Sequence, residues 1–116
     1  MANLNDGEVS LALGDDTYIL RPTLNAIRTL SRAHGGLRPA LQTLFNQEFD
    51  GVVSIIKIGA GVPDRDEKAL AAKVYAAGMN DATLMPLVEY LKVLMNGGKA
   101  PPPDDAPPAE EPEGNA

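Results

Sequence analysis

Residues 8–32 read EVSLALGDDTYILRPTLNAIRTLSR, and the fold turns on how this stretch divides. Val9, Leu11 and Leu13 alternate with Glu8, Ser10 and Ala12, the period of two that marks a half-buried strand. Gly14, Asp15 and Asp16 follow, residue types that accept turn conformations. Thr17 to Arg21 supplies β-branched and aromatic residues, with Tyr18 and Leu20 on one side and Ile19 on the other. These features predict a β-hairpin with one oily face. Pro22 cannot continue a central strand, and Thr23 is suited to cap a helix with its hydroxyl. Leu24, Ile27 and Leu30 then recur at helical spacing. A lone hairpin is marginally stable, so the helices that follow must cover its oily face.

Outward from this stretch, His34 falls in the last turn of the first helix and Gly35-Gly36 end it. A second helix is expected from about Pro39, a residue favoured at helix starts, with Leu41, Leu44 and Phe45 on its buried face. Phe49 to Ile58 carries two signals. Val52, Val53, Ile55, Ile56 and Ile58 are β-branched, which favours a strand. Val52, Ile55, Ile56 and Gly59 also fit the i, i+3, i+4, i+7 pattern of a helix that Asp50 could cap. After the break at residues 59–63, Asp64 and Glu67 resemble a capping box. The stripe Leu70, Lys73, Val74 and Ala77 continues that helix to Gly78. A last helix is expected over about Thr83 to Met95, with Pro86 tolerated in its first turn. The pattern predicts an α+β domain over residues 1–97, an N-terminal hairpin packed on a small bundle of four to five helices.

Residues 98–116 form a second compositional zone. From residue 101 onward, six residues are proline and none is a large apolar group. Such a segment cannot offset the entropy lost on ordering, so a disordered, loosely polyproline-like tail is expected. Residues 101–116 hold Asp104, Asp105, Glu110, Glu111 and Glu113 and no basic residue. Those sixteen residues therefore account for five of the six net negative charges, and the remaining 100 residues are near neutral.

A near-neutral body argues against duplex nucleic acid as a partner, because counterion displacement needs a basic surface. The first residues have neither the basic nor the apolar region of a signal peptide. The apolar runs are too short to span a bilayer, so no membrane partner is expected. The chain has no cysteine, which excludes disulfides, thiolate metal sites and a Cys nucleophile. His34 is the single histidine and reads as a helix C-terminal residue near the last carbonyls. Asp64, Asp66 and Glu67 read as first-turn acids that favour a helix dipole, and Asp15-Asp16 reads as turn chemistry. Gly59-Ala60-Gly61 lacks the third glycine and the Lys-Ser/Thr of a phosphate loop. No cofactor, metal or catalytic residue is expected. Arg21, Arg28, Arg32 and Arg38 read either as a solvated face or as part of a surface for an acidic partner.

The last helix carries Leu84, Met85, Leu87, Val88, Tyr90, Leu91, Val93, Leu94 and Met95, more than one stripe requires. These residues supply core, and the flexible methionines also suit an adaptable partner groove.

Gly7-Glu8-Val9, Leu11, Leu13, Asp15, Tyr18, Leu20, Arg21, Pro22 and Thr23 resemble the opening pattern rGEVxLxLdGxxYxLRpT. That pattern belongs to the gene transfer agent family of small proteins, grouped with the phage tail assembly chaperones. Ile55, Ile56, Gly59 and Gly61 fall where the family has its middle helical segment, which tips residues 50–58 toward helix. The middle segment is richer in Ile and Val than the family pattern. The first helix carries Arg28 and Arg32 in place of the usual acids. The resemblance implies a non-enzymatic protein of the bacterial host cytoplasm, absent from the mature particle. It implies binding to the tape measure protein, which the chaperone keeps soluble during tail assembly. Self-association and the tail tube protein are further expected contacts. The expected partner groove lies between the hairpin's uncovered side and the last helix, around Leu84, Leu87, Leu91 and Met95. The alternative is a small structural tail subunit retained in the particle.

Overall fold

A computed structural model describes Leu4 and residues 6–100. Strands β1 (Val9–Leu13) and β2 (Asp16–Leu20) pair antiparallel, with Val9 opposite Leu20 and Leu11 opposite Tyr18. Helices α1 (Leu24–His34), α2 (Leu37–Phe45), α3 (Phe49–Ala60), α4 (Glu67–Ala77) and α5 (Asp81–Met95) follow. The fold is α+β. The hairpin turn is the two-residue Gly14-Asp15, with Gly14 at φ +63°. A positive φ at the first central residue matches the twist of the flanking strands. Asp16 is therefore the first residue of β2 rather than a turn residue.

The alternation in β1 translates directly into burial. Val9, Leu11 and Leu13 are buried while Ser10 and Ala12 are exposed. With Leu20, they form the oily face that α5 and α3 cover. Thr23 caps α1 as its position implies, its hydroxyl accepting from the Ala26 N–H at 3.0 Å. Gly35, at φ +78°, ends that helix in the left-handed conformation.

Residues 50–58 are helical. Val52, Val53, Ile55, Ile56 and Gly59 are all buried along α3, which packs on β2, α1, α2, α4 and α5. Burial along a 3.6-residue period outweighs the modest β preference of the branched side chains. Gly59 allows a close approach: a Cβ there would sit 2.8 Å from Tyr90 Cε2 and 3.1 Å from Leu20 Cδ2.

Several local expectations are corrected. α2 starts at Leu37, two residues before Pro39. Phe45, expected inside, is exposed because α2 buries Ala40, Thr43 and Leu44 instead. Asp50 is not a cap; Glu48 occupies the cap position of α3 and Asp50 lies in its first turn. Asp64 and Glu67 form no capping box. Asp64–Asp66 is a short 3-10 turn, and both carboxylates face Lys57 of α3. The last helix begins two residues earlier than expected, capped by Asn80, whose side-chain oxygen accepts from the Thr83 N–H. Pro86 is consequently the sixth residue of α5, beyond the first turn. The missing N–H would have served the carbonyl of Ala82, an exposed residue, where water can substitute.

The tail was expected from residue 98, but Gly98 belongs to the body. Its N–H donates to the Val93 carbonyl at 2.9 Å. Gly7 packs so tightly there that a Cβ on it would lie 2.4 Å from the Gly98 carbonyl oxygen. The expected disorder of the Pro-rich segment falls, from residue 101, outside the described residues. No helix among the described residues is long and apolar enough to cross a membrane.

Candidate functional site

The residues expected to form a partner groove lie mostly in the core. Leu84 is buried, and Leu87 and Leu91 are fully inaccessible. The reason is the position of α5, which packs directly on β1 and α2 and touches α3. Eight of its fifteen residues are buried, as expected of a helix apolar over most of its circumference. No groove therefore opens between the hairpin and α5 at those leucines. Met95, at the end of the helix, is 45% exposed.

Phe45, Tyr75 and Met85 are exposed singly on other helices, and an apolar groove lies beside α1. Leu24, Ile27, Arg28, Ser31 and Arg32 are spaced i, i+3, i+4, i+7 and i+8, which puts them on one helical face. Ala26 and Leu30 point the other way, into the core. Leu24 is 73% exposed. A groove of about 260 Å³ runs between Pro22, Thr23, Leu24 and Ile27 on one wall and Leu94, Gly97 and Gly98 on the other. It continues past Ile27 into a shallower depression lined by Arg28, Ser31 and Arg32. Among the described residues, neither Arg28 nor Arg32 has a carboxylate partner. The surface thus has an apolar end at the start of α1 and a basic end one to two turns further on. The sequence carried a signal for it. Leu24 stands directly after the cap Thr23 and is offset from the Ala26–Leu30 line.

Two polar clusters lie elsewhere on the surface, at Lys57 and at His34. Lys57 lies between Asp64 and Glu67, with Glu67 Oε1 at 2.9 Å from its Nζ. The hydrogen bonds that the ammonium donates to these two carboxylates hold it above its ordinary pKa, and the contact with Lys57 holds Asp64 below its own. The Lys57 ammonium and the Asp64 carboxylate are therefore both charged at neutral pH. With Glu67 they form an ion-pair cluster joining α3 to the start of α4, and the lysine is not a free amine nucleophile.

His34 Nε2 lies 3.2 Å from Ser54 Oγ, a pairing of residues twenty apart. It does not behave as a nucleophile-base pair. Ser54 sits inside α3, whose neighbouring N–H groups are consumed by helical hydrogen bonds and cannot serve an oxyanion. The contact joins α1 to α3, so the histidine does not serve the helix carbonyls that its position suggested. Burial holds its pKa below the ordinary value, with Glu48 opposing more weakly. Among the described residues, no group of three or more His, Asp or Glu side chains is placed to hold a metal ion. What remains among the described residues is the apolar groove with the arginines at its far end. Comparison of the chain with family models, with curated proteins and with solved structures finds no match.

Proposed function

We propose that this protein is a tail assembly chaperone of the phage and gene-transfer-agent type, which binds the tape measure protein and keeps it soluble. One observation carries the reading. The junction whose sequence bears the family resemblance, Arg21-Pro22-Thr23, leads directly into the groove that Pro22, Thr23, Leu24 and Ile27 line. A tape measure protein is a long amphipathic helix with an oily stripe, and an apolar helix-lined groove suits such a stripe. Each contact is small, and affinity comes from many copies along one filament. On this reading the protein acts in the host cytoplasm and leaves before the particle is complete.

The test is co-expression with the tape measure protein of the same assembly cluster. The expected result is that the tape measure is soluble only with this chain and that the two co-purify. If its solubility is unchanged and this chain is recovered in purified particles, the protein is a structural tail subunit and the chaperone reading is overturned.

A further inference from the structure

We propose that the chain's own acidic segment, residues 101–116, occupies the α1 groove in the free protein, with prolines on its apolar end and carboxylates on Arg28 and Arg32. The groove and the segment are neighbours by construction. Gly97 and Gly98 form one wall of the groove, and the segment begins three residues after Gly98. The exit is held in place. Gly98 donates to the Val93 carbonyl, Asn96 Nδ2 donates to the Lys99 carbonyl at 3.0 Å, and a Cβ on Gly98 would lie 3.1 Å from the Pro22 carbonyl.

The spacing matches. Along α1, Arg28 and Arg32 lie four and eight residues beyond Leu24, or about 6 and 12 Å at the helical rise. In an extended polyproline-like form the six residues from Gly98 to Asp104 span about 19 Å. Pro101-Pro102-Pro103 can thus lie over Leu24 and Ile27 while Asp104 and Asp105 meet the two arginines.

The charges are complementary. The segment holds five carboxylates and no basic group, and the basic end of the groove has no carboxylate partner among the described residues. Tethering through only Lys99 and Ala100 makes the effective concentration on the order of millimolar, so a weak contact suffices. A second copy of the chain lacks this tether advantage. Docking does not depend on the proposed function. Its consequence, that a tape measure helix must displace the segment, rests on that reading.

The absence of native cysteine permits a clean test on the full chain. A nitroxide is attached at Ala106→Cys, and paramagnetic broadening is read on the methyl groups of the body. The expected result is strong loss of Leu24 and Ile27 methyl intensity, independent of protein concentration. It is relieved in the double variant Arg28→Glu, Arg32→Glu, and at about 1 M salt, where screening acts within roughly 3 Å. Both arginines are exposed, so that variant folds. Broadening that is absent, or spread evenly over the surface, overturns the proposal. So does broadening that appears only when labelled chains are mixed with unlabelled reporters, since the occupant is then a second copy.

Discussion

The hydroxyl of Tyr90 donates to the carbonyl of Arg21 at 2.6 Å, a hydrogen bond that spans 69 residues of sequence. The N–H of Arg21 in turn donates to the Gly59 carbonyl at 2.9 Å. Arg21 is the last residue before the proline that turns the chain from hairpin to helix. Its two backbone groups are therefore held by α5 and by the end of α3. This places the start of α1, and with it the groove, against the core.

Tyr90→Phe removes that bond while leaving the ring in place. The Arg21 carbonyl keeps a second donor, the Thr23 N–H at 3.0 Å, so the loss is expected to be about 1 kcal/mol. The urea midpoint should fall without a change in slope. Alkaline titration gives a second readout. Burial holds the Tyr90 phenol well above its ordinary value of 10.0, so the folded protein keeps a proton that the unfolded chain releases. Its contribution to stability is complete below pH 10 and declines as the pH rises beyond it. Lys57 and Lys73 have raised values too and change stability in the same direction, so the variant is the control. Tyr90→Phe should show a shallower alkaline loss.

Gly59→Ala tests the close packing of α3 on α5. Helix propensity alone favours alanine by about 1 kcal/mol. The added methyl, however, meets Tyr90 at 2.8 Å and Leu20 at 3.1 Å, and overpacking costs typically about 1–3 kcal/mol. The net expectation is destabilisation, seen as a lower Tm. A rise in Tm would show that the Tyr90 ring yields readily.

His34 should make stability fall on mild acidification. Its folded-state pKa lies below the ordinary 6.5 because it is partly buried. The unfolded chain therefore takes up a proton first as the pH drops through 6.5. Stability is complete above that value and is lost below it. Urea midpoints at neutral and mildly acidic pH should differ, and His34→Gln should reduce the difference.

Apolar-to-acidic substitutions should divide into two classes. Leu87→Asp and Leu91→Asp place a charge at fully buried positions and are expected to unfold the domain, as judged by circular dichroism. Leu24→Asp alters an exposed residue and should leave the fold intact within about 0.5 kcal/mol. Under the proposed function it should still reduce recovery of soluble tape measure protein severalfold. Full recovery with Leu24→Asp would move the binding surface away from the groove.

Local chemistry was enough to place the hairpin, the Thr23 cap and the stops at Gly35 and Gly78, because each depends on a few adjacent residues. Period-two alternation set the oily face of β1, and helical spacing named most of the core. The extent of α3 was legible only as a choice. A run of β-branched residues satisfies both periods, and burial against β2 and all four other helices decided between them. Tertiary packing alone decided what faces water. Leu87 and Leu91 became core because α5 is enclosed by β1, α2 and α3. Phe45 and Leu24 stayed outside because Ala40, Thr43, Leu44, Ala26 and Leu30 already filled the inner faces of α2 and α1. Distant pairings such as Tyr90 with Arg21, His34 with Ser54 and Lys57 with Asp64 leave no periodic trace in the sequence. They arise when the chain folds back on itself, since a hydrogen bond or ion pair depends on distance in space rather than on separation along the chain.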